Sequence, residues 1–346
     1  MGHTYLIGEI GQNHNGSVEI GKKIIDIAAK PVIDKFYNRQ LKGIDAIKLT
    51  KRDLKEELSA EAWNKPYLSA HSFGKTYGEH RAFLELSDEE HFELYTYAKN
   101  KQLDVVETIC AKGCLGMFRY FKPDYIKVAS RDLTNLPLLE ALAETGIPMI
   151  VSTGMSGKEE LGKAVEVISQ KHDKITILHC LSQYPSDYKN INLLTIHYLK
   201  THYSNYTIGY SDHSIGIVVP CAAVALGAQV IEKHITLDRT MKGTDHAGSL
   251  GEDGIFRMVR DIRNTELSLG VNDMFLDESA MESKTKLERS IATNRDLEAG
   301  EVIREEDIHL LSPGDGYKWA EKGMVVEKRI NQPLGKDQII YKSYLD

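Results

Sequence analysis

Cysteine is scarce in this chain. It has four among 346 residues, Cys110, Cys114, Cys180 and Cys221, and no CxxC pair. That spacing speaks against a small disulfide-stapled scaffold, and reduced thiols are the expected state. Proline is also sparse, with nine residues, and no low-complexity or Pro-rich segment is present. No uninterrupted apolar run approaches the ~18 residues of a membrane span. No basic region followed by a long apolar stretch precedes the strand-like run Tyr5–Ile10, so no secretory signal and a cytoplasmic location are expected. A basic excess is missing too: 43 Lys and Arg stand against 50 Asp and Glu, a net charge of −7. That balance argues against a general nucleic-acid or membrane-surface binder. An anionic ligand would need a locally basic pocket inside an acidic protein.

What is present is an ordinary globular composition, 42% apolar and 27% charged. The length suits one barrel of about 250 residues plus a small module. Eight short β-rich runs recur: 5–11, 46–51, 104–110, 125–130, 148–153, 175–181, 207–212 and 230–236. Amphipathic helical patterns separate most of them, including 17–30, 88–101, 157–170, 215–227 and 252–269. Strand–helix alternation implies a parallel sheet. Eight units predict an α/β fold of the TIM (β/α)₈ type, with a doubly wound open sheet as the alternative. Polar residues cluster at the ends of the runs: Glu9, Lys48, Thr108, Lys127, Ser130, Ser152, His179, Ser211 and His234. In a barrel those ends meet at one mouth, where such folds carry their sites. The texture changes after Gly270. The reading is a barrel domain over 1–270, a polar linker over 271–288, and a small β-like domain over 289–346.

His213 and His234 follow consecutive strands, so a barrel would bring both imidazoles to the mouth. Two histidines with open positions suit a catalytic divalent ion, with Asp212 and Glu232 as candidate supporting carboxylates. Lys48 and Lys127 sit in otherwise apolar runs. A buried lysine needs an anion, which is either a barrel carboxylate or a ligand; a Schiff-base lysine is a further reading. Thr108, Ser130, Ser152 and Ser211 add hydroxyls around them, making a cradle for a small ligand with phosphate and carboxylate groups. Glu9, before the polar loop GQNHNG, and Asp245, in KGTDHAGS, are candidates to bind sugar hydroxyls or move a proton. The long connection from Lys51 to Ser87 is aromatic and basic, as functional loops at barrel tops often are.

Taken in order, EIGQNHNG (9–16), IKLTK (47–51), KVAS (127–130), STGM (152–155), HC…YP (179–185), GYSDHS (209–214), EKHITLD (232–238) and KGTDHAGS (242–249) resemble the sialic acid synthase family. RSIATNRDLEAGEVI resembles that family's antifreeze-like (SAF) module. The resemblance implies a (β/α)₈ barrel with a C-terminal SAF domain, and a domain-swapped homodimer. It implies condensation of phosphoenolpyruvate with N-acetylmannosamine or a related aldose, assisted by Mn²⁺ or Mg²⁺. By position, His213 and His234 would hold the metal. Lys48, Thr108, Lys127, Ser130, Ser152, Ser182, Tyr184 and Ser211 would surround phosphoenolpyruvate, with Tyr184, Glu9 and Asp245 as catalytic candidates. Thr50, Asp132, Glu9 and Asp245 would face the sugar.

Some positions depart from the family pattern. Ser312 stands where many bacterial members have an arginine before Pro-Gly. Thr50 replaces a glutamine, Ser182 an asparagine, and Asp132 a glutamate. These changes fall mainly on the sugar side. The segment HSFGKTYGEHR (71–81) resembles the animal enzymes, which use 6-phosphorylated sugars. Lys75, His80 and Arg81 are therefore candidates for a sugar phosphate. Related nonulosonate synthases, a lysine-dependent barrel aldolase and a non-catalytic carbohydrate-binding protein are the rival readings.

Overall fold

The computed structural model describes residues 3–346. The chain divides into two compact units, Met1–Gly270 and Val271–Asp346.

In the first unit all eight expected runs are strands: β1 Tyr5–Gly11, β2 Ala46–Lys51, β3 Asp104–Ile109, β4 Tyr125–Val128, β5 Met149–Ser152, β6 Ile175–Cys180, β7 Thr207–Asp212 and β8 Val230–His234. They pair in parallel in sequence order, and β1 closes on β8. The open-sheet alternative is thus excluded. Helices pack outside, among them Val18–Ala29, Asp88–Asn100, Lys158–Ser169 and Glu252–Ser268. Their starts follow from capping chemistry. Ser17 and Ser87 accept backbone N–H bonds at the first and second of these, and Glu90 completes a capping box at the second.

The barrel interior is built in tiers, because inward side chains recur every second residue. The lowest tier is apolar: Ile7, Ala46, Val106, Ile150, Leu178 and Val230 pack together over Tyr5 and Tyr125. Gly209 takes the slot on β7. A methyl there would lie 2.5 Å from the Val230 carbonyl and 2.6 Å from Leu178. One step up each strand the character reverses. Glu9, Lys48, Thr108, Lys127, Ser152, Cys180, Ser211 and Glu232 are all buried. A polar tier over an apolar plug puts the chemistry at the C-terminal mouth.

The connection from Lys51 to Ser87 is not one loop. It holds short helices at Leu54–Glu57 and Ala60–Asn64 and a third at Tyr77–Leu84. The second unit has its own core of Ile291, Leu297, Ile303, Ile308, Val325, Ile330, Leu334 and Ile340. Its strands β9 (Ser290–Thr293) and β10 (Ile308–Leu311) are antiparallel. Part of the stretch read as a linker is helical, Met281–Leu287, and belongs to this unit. Ser312 donates its hydroxyl to the Leu287 carbonyl at 3.0 Å. No helix among the described residues is long and apolar enough to cross a membrane.

Candidate active site

One cavity of about 490 Å³ opens at the barrel mouth. Its walls carry the polar tier and the positions above it. Glu9, Lys48, Thr50, Thr108, Lys127, Ser130, Ser152, Ser182, Tyr184, Ser211, His213, His234, Asp245 and Arg81 all line it. Five cationic side chains (Lys48, Arg52, Arg81, Lys127 and Arg131) face three carboxylates (Glu9, Glu232 and Asp245). The acidic chain therefore does contain a locally basic pocket.

The floor is a row of alternating charges. Lys48 pairs with Glu9 and, at 3.1 Å, with Glu232; Lys127 reaches Glu232 at 3.3 Å. Ser211 donates to Glu232 at 2.8 Å. The lysines thus have barrel carboxylates as partners and still face the cavity. Burial opposes ionisation of Glu232. Lys127 and Lys48, with the Ser211 hydroxyl, outweigh it and hold that carboxyl well below the usual range. Burial also pushes Lys48 down to about 7, with Lys127 adding repulsion and Glu232 resisting. Above this row the Gly154 amide donates to Ser130 Oγ at 3.0 Å. A Cβ on Gly154 would lie 2.5 Å from Ser182 Oγ, so three loops converge where only glycine fits.

The histidines stand just above this row: His234 is two residues beyond Glu232 on β8 and level with Glu9 on β1, and His213 follows β7. The His213 and His234 ring centroids are 5.7 Å apart, and the Tyr184 ring lies 4.0 Å from that of His213, tilted by 38°. His213 Nδ1 lies 2.8 Å from the Leu181 carbonyl. A carbonyl only accepts, so Nδ1 carries a proton and Nε2 is the nitrogen left for a ligand. His234 Nδ1 is buried without a hydrogen-bond partner. Burial lowers His234 to about 4 despite Asp245, which leaves the imidazole neutral at pH 7. Burial works against the charge on His213, but the Cys180 thiol and the Leu181 carbonyl raise its pKa above the ordinary imidazole value. A neutral His234 beside a His213 whose Nε2 is free of protein partners fits a divalent cation, which would displace the His213 proton on binding. Among the described residues no cluster of three His, Cys, Asp or Glu forms a closed ligand set. Any ion held here would keep positions open for substrate and water.

Several expectations need correction. His179 does not face the mouth: its Nε2 bonds the Ile191 carbonyl at 2.7 Å, and its ring packs on Tyr210. It sits one residue off the inward register. Asp212 also points outward, to Lys233, Ser214 and the Tyr210 hydroxyl. It does not support the histidines. Glu232 serves the lysine row. Asp132 does not line the cavity; it pairs with Arg131 at 3.2 Å. Lys75 and His80 are absent from the walls as well. His80 is buried against Tyr67 and Phe73, and its Nδ1 accepts from the Phe73 amide at 3.2 Å. The Lys75 amide is tied to Glu79 at 2.7 Å. Of that trio only Arg81 reaches the cavity, bonded to Gln12 and, at 2.9 Å, to the Tyr77 hydroxyl.

Sequence reasoning missed Gln12, Arg52, Cys110, Arg131 and Cys180 as wall residues. Period-two counting from Lys48, Thr108 and Leu178 would have placed Arg52, Cys110 and Cys180 inward.

Fold and site together define a (β/α)₈ barrel whose mouth combines an anion-binding floor with a metal-competent histidine pair, followed by a separate small unit. The chain belongs to the NeuB family, the sialic and nonulosonic acid synthases: the NeuB family model matches residues 38–274, and the SAF domain model matches 288–346. It is 31% identical to an N-acetylneuraminate-9-phosphate synthase of Drosophila melanogaster, over 97% of this chain and 94% of that one. It is also 31% identical to an N,N'-diacetyllegionaminic acid synthase of Legionella pneumophila, over 95% and 91%. The crystal structure of an N-acetylneuraminic acid synthetase from Leptospira borgpetersenii, in complex with citrate, superposes with a TM-score of 0.68. It has 30% identity and covers 82% of this chain and 90% of that one.

Proposed function

We propose that this protein condenses phosphoenolpyruvate with an N-acetylmannosamine-type aldose, free or 6-phosphorylated, giving a nonulosonic acid and inorganic phosphate. One observation carries the reading: a single cavity holds the Lys48–Glu232–Lys127 row at its floor and the His213–His234 pair above it. Two anionic groups and an aldehyde can then meet in one place. The relative from Legionella supports a second choice of aldose, a diacetamido sugar.

His213 and His234 would hold a divalent cation, manganese or magnesium, which when bound would supply Lewis-acid polarisation of the aldehyde. The chain's own groups do the rest. Lys48, Lys127 and Thr108 bind the carboxylate and phosphate of phosphoenolpyruvate, with Ser130, Ser152, Ser182 and Ser211 completing the cradle. C3 of phosphoenolpyruvate bonds to the aldehyde carbon, whose oxygen takes up a proton. Glu9 and Asp245 face the cavity and are the candidates to move it. The cation left at C2 lies near ionised Glu232. Water adds at C2 and loses a proton. The tetrahedral centre then collapses to a ketone, the C2–O bond breaks, and phosphate leaves with the bridging oxygen. The lysines act as cations here and form no imine.

The test is a panel of aldoses with phosphoenolpyruvate and Mn²⁺, read as phosphate release. N-acetylmannosamine, its 6-phosphate, mannose 6-phosphate and the diacetamido aldose are compared. Release that depends on one of them is expected, with the 6-phosphate strongly preferred over the free sugar. Equal rates with N-acetylmannosamine and its 6-phosphate would remove that preference. No release with any aldose would sink the reaction.

Lys48 gives a pH prediction. Its ammonium titrates near 7 in the free site, and a bound anion favours the charged form. Binding above pH 7 therefore takes up a proton and weakens as pH rises. The Kd for phosphoenolpyruvate, measured by calorimetry without sugar, is expected to rise about eightfold from pH 7.5 to 8.5. A flat profile would contradict this role.

A further inference from the structure

We propose that Arg52 and Arg131 form a second cationic station, which receives a phosphate or carboxylate carried on the aldose at the end remote from its aldehyde. The proposal rests on the reading of the His213–His234 wall as the aldehyde end.

Arg52 lies just beyond β2, two inward steps past Lys48, and Arg131 lies in the 3₁₀ turn Ser130–Asp132 that follows β4. Each lysine of the floor thus has an arginine above it, and both arginines line the cavity. Glu57, on the short helix Leu54–Glu57, joins them. Its Oε2 lies 3.2 Å from Arg52 Nη1 and 2.7 Å from Arg131 Nη2. One carboxylate oxygen therefore draws two guanidinium groups together at the mouth. Their remaining donors are not used up. Arg131 Nε turns to Asp132 at 3.2 Å, and Arg52 Nε faces the Glu85 carboxylate at 3.5 Å. Neither Arg52 Nη2 nor Arg131 Nη1 has a side-chain or carbonyl partner among the described residues. Two oriented, partly buried forks with free donors suit a planar or tetrahedral oxyanion far better than a neutral hydroxyl.

Topology supplies the direction. In the closed ring, β4 lies across from β8, which carries His234, and β3 across from β7, which leads to His213. An aldose with its aldehyde at the histidines and its carbon chain crossing the mouth points its far end at the β2–β4 sector. Arg52 and Arg131 stand there. Arg81 enters from another quarter, tied to Gln12 after β1. Phosphoenolpyruvate already has the lysines and hydroxyls of the floor. Glu57, Asp132 and Glu85 balance the charge of the arginine pair, and its unpaired Nη groups are directed donors at the height where the second substrate would end.

The experiment measures kcat/KM for N-acetylmannosamine, its 6-phosphate and the corresponding uronic acid, at saturating phosphoenolpyruvate and Mn²⁺. Wild type is compared with Arg52→Ala and Arg131→Ala. The preference ratio, anionic over neutral aldose, is expected to fall roughly 30-fold or more in each variant. A drop confined to the 6-phosphate assigns the station to phosphate, and one confined to the uronate assigns it to carboxylate. Should an alanine variant fail to fold, Arg131→Lys and Arg52→Lys keep the charge but lose the fork, and a smaller fall in the same ratio is expected. An unchanged ratio overturns the proposal. So does a loss that appears as a raised KM for phosphoenolpyruvate with every aldose alike. Calorimetric binding of N-acetylmannosamine 6-phosphate, without phosphoenolpyruvate, separates this claim from the reaction it rests on. Binding weakened by Arg131→Ala supports the station even in a protein that releases no phosphate. Binding indifferent to the substitution counts against it even in an active enzyme.

Discussion

Alanine at His213 and His234 together is expected to lower kcat/KM about a thousandfold or more, the scale of losing a Lewis acid worth several kcal/mol. The physical basis is local. His234 is neutral at pH 7 because burial outweighs the pull of Asp245, and its buried Nδ1 lacks a partner. The Leu181 carbonyl fixes the His213 tautomer. His234 is therefore prepared to give a lone pair to a cation, and His213, raised by Cys180 against its burial, would release its Nε2 proton as the cation binds. Binding has a readout apart from turnover. Mn²⁺ should raise the Tm of the wild type, as any ligand specific to the folded state does, and should leave the double variant unmoved. Chelation of the wild type by EDTA should remove activity, and Mn²⁺ should restore it. A double variant that still gains Tm with Mn²⁺ would place the cation elsewhere. Activity indifferent to EDTA would favour the lysine-dependent aldolase reading.

Lys127→Met carries the second large effect. Lys127 is 2% exposed and shares Glu232 with Lys48. Removing one member of a buried charge set costs about 2–5 kcal/mol, so a loss of roughly 30-fold to several thousandfold in kcat/KM for phosphoenolpyruvate is expected. Glu232 keeps Lys48 and the Ser211 hydroxyl, so the barrel should fold, with the KM for phosphoenolpyruvate bearing most of the change. Borohydride treatment of wild type with either substrate should leave no adduct. A trapped adduct on Lys127 or Lys48 would show imine chemistry instead.

The barrel was legible because strand period and helix period differ. All eight strands came from short β-rich runs, and closure followed from their number. The site was legible where strand geometry decides it. Glu9, Lys48, Thr108, Lys127, Ser152 and Ser211 share the inward face of their strands and form one tier. His179 was misread because its polarity was noted but its parity was not: Leu178 and Cys180 take the inward slots beside it. Off the strands the rule fails. His80 belongs to the buried face of helix Tyr77–Leu84, four residues before buried Leu84. That i, i+4 pairing was readable and marks a core residue. Arg52 and Glu57 are five residues apart, but Arg131 comes from a separate segment. Only the folded chain brings Arg52, Glu57 and Arg131 to one point, and no local pattern announces it. The helix Met281–Leu287 was hidden by its polar composition, for it buries no residue.

The central claim is that carbon–carbon bond formation is coupled to cleavage of the C2–O bond in one cavity. Phosphoenolpyruvate labelled with ¹⁸O at the bridging position, turned over with the preferred aldose and Mn²⁺, tests it directly by mass spectrometry of both products. The label should appear entirely in inorganic phosphate, beside an unlabelled product whose mass is that of pyruvate plus the aldose. Label retained in the sugar acid, or phosphate released without that product, would contradict it.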